Sequence, residues 1–202
     1  MIVLSYNVRG LGSSVKLRAL RELVLKEKVD MLLLQETKLE EVNQRICNAI
    51  WGSDECSWCY KASEGRSGGI LCIWQIGKFN ILDSCVGSGF VAMRGKIIEQ
   101  DLECGVVNVY APCNATDKRR LWMEINQWAD RTNSSCLCVA GDFNAIRNSE
   151  ERQGSANGVS QCRREMDDFN QFIYDLQLVE PPLVGKRFTW YRSGGQASSR
   201  LD

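Results

Sequence analysis

The chain has 202 residues, 44% hydrophobic and 25% charged, and its 25 basic and 25 acidic side chains cancel to a formal net charge of zero. That size suits one globular domain over residues 1–202 with a sizeable core, and no apolar stretch has membrane-spanning length or opens the chain as a signal peptide. Zero net charge excludes a whole-domain positive field, so any nucleic-acid contact must come from a local patch.

The expected elements alternate along the chain. Ile2–Tyr6 reads as a first strand, and Leu17, Leu20, Leu23 and Val24 form the apolar stripe of a helix over Lys16–Lys28. Asp30–Glu36 is a short apolar strand, and Glu40–Ile50 a second helix. Strand-like runs then follow at Cys59–Ala62, Gly69–Trp74, Phe79–Val86, Val91–Ile98 and Gly105–Tyr110, punctuated by Gly-containing turns. A helix after Pro112 carries Leu121, Ile125 and Trp128 on one face, and Cys136–Ala140 is the next buried strand. Residues Arg147–Gln161 read as an exposed polar loop, Arg163–Leu178 as a helix and Phe188–Tyr191 as a strand. The pattern predicts a layered α/β protein with mixed sheets.

Ten cysteines, with no secretory signal, are expected to be mostly reduced thiols inside the cell. The CxxC at Cys56–Cys59 stands alone, without a second pair or any histidine, so zinc or redox work there is disfavoured. Lys118-Arg119-Arg120, Arg163-Arg164 and Lys186-Arg187 read as solvated basic faces.

The strand ends carry the chemistry. Ile2–Tyr6 stops at Asn7, Met31–Leu34 at Gln35-Glu36, Val106–Val109 at Tyr110 with Asn108 before it, and Leu137–Ala140 at Asp142 and Asn144. Aligned strand ends share one rim of a layered sheet, where ligand sites gather. Glu36 facing Asp142 would repel without a cation, and hard oxygen donors of this kind suit Mg²⁺ or Mn²⁺. On an extended segment, Asp142 and Asn144 would point the same way.

The succession LSYNVRGLG (Leu4–Gly12), LLLQETKL (Leu32–Leu39), RSGGI (Arg66–Ile70), NVYAP (Asn108–Pro112), AGDFNAI (Ala140–Ile146) and SRLD (Ser199–Asp202) resembles the endonuclease/exonuclease/phosphatase family. It is most similar to the endonuclease domain at the start of plant non-LTR retrotransposon polyproteins. The resemblance implies a four-layered α/β sandwich, two packed mixed sheets flanked by helices, and Mg²⁺-dependent phosphodiester hydrolysis of DNA.

By the same resemblance, Glu36 is the metal ligand and Asn7 a metal-site or phosphate-orienting amide. Tyr110 contacts phosphate, Asp142 activates water, and Asn144 supports the metal site and the transition state. Asp202 matches an acid that supports the family's catalytic histidine. Arg9 stands where relatives acting at abasic sites have an acid, and Arg9 and Thr189 are the weaker candidates for DNA contact. Gly68 and Gly69 are expected to allow a backbone turn.

The family's closing Ser-Asp-His segment has no counterpart among these residues, so the expectation is a domain truncated near its C-terminus. Its partners would be DNA and a downstream reverse transcriptase of a longer polyprotein, with no membrane and a monomeric state. An active chain would work in the nucleus, although no import signal is evident. Two other readings stay open: a catalytically inactive remnant that at most binds metal or nucleic acid, and a phosphatase on the same fold.

Overall fold

The structure, a computed structural model, describes residues 1–65, 67–132, 134–153, 159–182, 184–185, 188–191 and 197–201, with side chains of the fourth segment from 163 onward. The chain forms two compact units, Met1–Tyr110 with Thr132–Asp142, and Ala111–Arg131 with Phe143–Asp202.

The first unit contains β1 (Val3–Asn7), α1 (Ser14–Glu27), β2 (Met31–Gln35), α2 (Gln44–Trp51), β3 (Cys56–Glu64), β4 (Ser67–Gln75), β5 (Phe79–Val86), β6 (Phe90–Ile97), β7 (Leu102–Tyr110) and β8 (Leu137–Asp142). Its strands make two four-stranded sheets, ordered β1-β2-β4-β3 and β5-β6-β7-β8. Both are mixed: β1–β2 and β7–β8 pair in parallel, and the remaining neighbours are antiparallel. A parallel pair needs a long crossover, and the helix-bearing segments after β1 and after β7 supply the two required here. The mixed α/β architecture with two mixed sheets is the one expected.

Helices α1 and α2 start where the sequence offers caps. The side chains of Ser13 and Asn43 each accept a backbone N–H three residues on. Their apolar faces, through Leu20, Val24, Cys47, Ile50 and Trp51, pack on Leu32, Leu34, Leu71 and Ile73. The opposite face of the same sheet, Met31, Leu33, Ile70, Cys72 and Trp74, packs on Val91, Met93 and Val106 of the second sheet. All five β2 residues are therefore buried, which explains a run without polar alternation.

The second unit contains α3 (Ala115–Thr132), β9 (Arg152–Gln153), α4 (Val159–Asp175), β10 (Trp190–Tyr191) and β11 (Ser198–Ser199). Trp122 stacks on Phe172 at 4.6 Å between ring centroids, and Phe143 meets Phe169 at 5.3 Å. Phe143 thus anchors the segment that follows β8 into an aromatic core.

Two expectations need correction. The polar segment from Arg147 is not loop throughout: its residues enter a 3₁₀ turn (Ser149–Glu151) and β9, which joins the antiparallel sheet β10-β11-β9, while α4 already begins at Val159. The third helix accordingly ends at Asp175, three residues before the expected Leu178. Cys56 and Cys59 both lie within β3 at an odd spacing, so they occupy opposite faces. Cys56 joins the helix-side core and Cys59 packs between the sheets, which rules out joint chelation. The nine cysteines among the described residues are free thiols. Burial, with smaller contributions from neighbouring thiols, pushes Cys47 and Cys104 up to about 12, so both stay protonated and unreactive. Among the described residues no helix is long and apolar enough to cross a membrane.

Candidate active site

Parallel pairing aligns the polar strand ends. Asn7 is the Cα partner of Gln35 at the end of β1–β2, and Tyr110 that of Asp142 at the end of β7–β8. Asn7 Nδ2 donates to Asp142 Oδ2 at 2.7 Å and so ties the carboxyl ends of the two sheets together. Asn7 Oδ1 meanwhile accepts the Arg9 N–H at 3.1 Å. An amide can donate and accept at once, whereas an acid at position 7 would set two carboxylates against each other. Gly141 makes the close end of β8 possible: a Cβ there would lie 2.0 Å from the Val109 carbonyl oxygen.

Glu36 follows directly after Gln35. Its carbonyl accepts the Gly10 N–H at 2.6 Å and the next carbonyl, of Thr37, accepts the Leu11 N–H at 2.9 Å. On the other side, the Thr37 and Lys38 N–H groups donate to Gly69 and Gly68, each at 3.0 Å. Gly68 and Gly69 lie inside β4 and not in a turn before it, with φ of +78° and +85°, and a Cβ on Gly69 would meet Thr37 Oγ1 at 2.3 Å. Thr37 Oγ1 itself is buried without a hydrogen-bond partner among the described residues. The Glu36 carboxylate attracts the Lys38 ammonium at 3.1 Å. Lys16, reaching from the first turn of α1, donates to the carbonyls of Val8, Arg9 and Gly10 at 2.9 Å each and secures the loop after β1.

Arg9, Glu36, Lys38 and Asn144 all hold left-handed backbone conformations, φ between 46° and 56°. Each costs about 1 kcal/mol or more for a residue with a side chain; Lys28, Asp101 and Gln177, away from these residues, share the conformation, the first two as helix C-caps. Beneath the rim, Gln35 and Asn108 are buried and clasp the sheets: Gln35 Nε2 donates to Asn108 Oδ1 at 2.7 Å and to Ser5 Oγ at 3.0 Å. Asn108 Nδ2 reaches the carbonyls of Leu34 and Leu71 at 3.3 Å. The sequence marked both amides as strand-end polar groups without a role, and their burial assigns them the clasp. Tyr110 is half-buried and packs against the inter-sheet core.

In the second unit, Asn144 Nδ2 donates to the Ala111 carbonyl at 2.8 Å. The left-handed turn at Asn144 corrects the extended geometry expected for Asp142 and Asn144, so period-two alternation does not relate them. Lys118 is not solvated, as its basic run suggested, but 4% exposed. Thr189 Oγ1 accepts the Leu201 N–H at 3.1 Å, and its own N–H donates to Ser199, so it binds the β10 approach to the Ser199–Leu201 segment. Arg9 is exposed, and Asp202 lies outside the described residues.

Among the described residues, no three His, Cys, Asp or Glu side chains form a metal cage. The rim offers another donor set, the Glu36 carboxylate with neutral amide oxygen, and this hard-oxygen chemistry fits a hydrated divalent ion that keeps several waters. The Lys38 ammonium pairs with the same carboxylate. A cleft of about 420 Å³ lined by Trp74, Phe79 and Ile81 lies at the opposite end of the strands and brings together none of these groups.

Two mixed sheets are thus joined at their parallel-strand ends by an amide and a carboxylate. The chain belongs to the endonuclease/exonuclease/phosphatase family, whose model matches residues 4–202. Among solved structures it is similar to the AP endonuclease LMAP of Leishmania major, at 19% identity and a TM-score of 0.60, over 86% of this chain and 66% of that one. The catalytic domain of Xenopus laevis APE2 matches at 16% identity and 0.64, over 85% and 67%. ANGEL2, a 2′,3′-cyclic phosphatase, matches at 17% and 0.57, over 81% and 60%. The chain thus spans just under two thirds of the length of the Leishmania and ANGEL2 chains. No curated protein matches it.

Proposed function

We propose that this chain hydrolyses phosphodiester bonds of DNA with the help of a divalent cation, as the nicking endonuclease of a non-LTR retroelement. The observation that carries this reading is the 2.7 Å bond from Asn7 Nδ2 to Asp142 Oδ2, which orients a carboxylate at the end of the parallel strands, with Asn7 itself paired to Gln35, the residue before Glu36. With one oxygen held by Asn7, Asp142 accepts the proton of the attacking water. Glu36, with Asn7, holds Mg²⁺ or Mn²⁺, an ion that when bound supplies polarisation of the phosphoryl oxygen. Tyr110 donates to the phosphate and Arg9 contacts the DNA backbone; by the family resemblance, Asn144 supports the transition state and Thr189 is a weaker DNA contact. Asp202 supports the site.

The 202 residues contain no histidine, so within them proton transfers fall to carboxylate, phenol and water. The retroelement role rests on the motifs LSYNVRGLG and SRLD. The nick would expose a 3′ hydroxyl to a reverse transcriptase borne on the same parent polyprotein, which places the work in the nucleus.

The test is nicking of supercoiled plasmid with Mg²⁺, with chelator, and with Asp142→Ala. The expected result is Mg²⁺-dependent open circles, lowered about 10²- to 10⁴-fold by Asp142→Ala. Nicking that survives in the variant would remove Asp142 from the chemistry. A folded chain that spares the plasmid but releases phosphate from phosphate esters would instead be a phosphatase, the reading that the ANGEL2 likeness favours.

A further inference from the structure

Lys118 breaks the pattern of its neighbours on α3. The side chains of Arg119 and Arg120 are 56% and 66% exposed, whereas that of Lys118 is 6% exposed. Its ammonium lies 2.6 Å from the Asn144 carbonyl oxygen and 2.9 Å from Glu165 Oε2 on α4. A buried charge must be compensated, and replacing such a pair by apolar side chains is often neutral or stabilising, so the pair is weak evidence for stability. The shorter of its two contacts goes to a backbone carbonyl, and that carbonyl belongs to Asn144. At φ 46° Asn144 is in the left-handed region, which a short amide side chain tolerates but does not enforce. Lys118 on the carbonyl and Ala111 O on Nδ2 hold the residue at both ends.

We infer that Lys118 is a positioning residue, which holds Asn144 in its left-handed turn and thereby aims the Asn144 amide. The inference rests on the proposed role of Asn144 for its consequence in catalysis, but the physical link between the two residues is testable without turnover. The ammonium fixes the carbonyl side of the peptide, so the side chain leaves the backbone in one direction. Glu165 balances the charge.

The decisive variant is Lys118→Met combined with Glu165→Leu, which removes both charges and leaves no buried ion unpaired. The first readout is water exchange of the Asn144 Nδ2 protons, followed by ¹⁵N-edited NMR and assigned with Asn144→Ala. We expect exchange to rise about three- to tenfold, the equivalent of one hydrogen bond, in a variant whose Tm stays near wild type. An unchanged rate in the folded double variant would overturn the inference. If that variant does not fold, Lys118→Arg is read in the same way, since the wider guanidinium cannot occupy the ammonium's position: faster exchange supports the link and an unchanged rate overturns it.

The second readout is nicking. The double variant should lose about ten- to a hundredfold in kcat with KM for DNA unchanged, and the same pair of changes in an Asn144→Ala background should cost less than about twofold. Equal losses in both backgrounds would mean a general structural role and would overturn the inference. Exchange that responds in a chain without nicking activity would sink the endonuclease reading and leave the Lys118–Asn144 link standing.

Discussion

The two units hold their candidate site residues by different means. In the first, amides do the holding: the Asn7 amide holds the Asp142 carboxylate, Gln35 holds Asn108, and backbone amides clamp the loop that carries Glu36. Its ions sit closer to water, with the Lys38 side chain 41% exposed beside Glu36 and Lys16 exposed along its stem. In the second, charge is central: Lys118 meets Asn144 and Glu165, and Glu180 receives both Arg147 and Arg200. Exposed pairs contribute little and are screened by salt, whereas neutral buried bonds are almost blind to pH and salt. The first unit should therefore answer to shape and hydrogen-bond matching, and the second to acid.

The largest effect is expected where shape alone decides. In Gly141→Ala the new Cβ would lie 2.0 Å from the Val109 oxygen and 2.7 Å from its nitrogen, both backbone atoms that cannot step aside. We expect a loss of about 3 kcal/mol or more in urea unfolding, beyond the usual range for overpacking because the strands themselves must part. The Tyr110–Asp142 register at the strand end should go with it. A loss below about 1 kcal/mol would show that the β7–β8 end yields easily, and the contrast between a sterically fixed and a charge-fixed unit would weaken.

Next comes the neutral clasp. Gln35→Leu leaves Asn108 Oδ1 buried without its partner at 73 residues' separation, and should cost about 1–3 kcal/mol. Adding Asn108→Leu should recover part of that loss, because the stranded acceptor is gone, although Leu34 and Leu71 then lose a donor. Both costs should be the same between pH 5 and 8 and at high salt. Dependence on either would mean that a charge acts through the clasp.

How much of this was legible in the sequence follows from what enforces each feature. Apolar runs such as Leu32–Leu34 and Ile70–Trp74 read as strands because burial writes itself into composition, and the strand-end residues Asn7, Tyr110 and Asp142 sit at the last paired positions. The two-residue strands β9, β10 and β11 carry too few positions to show a period. The left-handed turn at Glu36 accompanies a backbone contact from Gly10, distant in sequence, and the one at Asn144 accompanies a contact from the Lys118 side chain, so local sequence announces neither partner. Lys118 was hidden by the two solvated arginines that follow it. One signal was present for Lys16: a cation in the first turn of a helix opposes the helix dipole, and such a misplacement asks for a compensating partner. The Gln35–Asn108 pair lies too far apart in sequence for any local pattern to join it.

The smallest expected effect tests the charged side of the contrast. Burial alone would raise the Glu180 carboxyl, but the hydrogen bonds and charges of Arg147 and Arg200 outweigh it and hold the group below the ordinary carboxylate range. A carboxyl depressed on folding binds fewer protons in the native state, so its contribution is complete above its unfolded pKa and is lost as pH falls through the folded value. Wild type should therefore exceed Glu180→Gln in Tm at pH 7, and the two melting curves should converge as the pH drops below about 4, the range of an unperturbed carboxyl. Added salt should shrink the difference at pH 7, because Glu180 and both arginines retain contact with water. Equal Tm values at pH 7 would show that the Arg147–Glu180–Arg200 cluster is held by the packing around it. The buried charged contact of the second unit among the described residues would then be the one that Lys118 makes with Asn144 and Glu165.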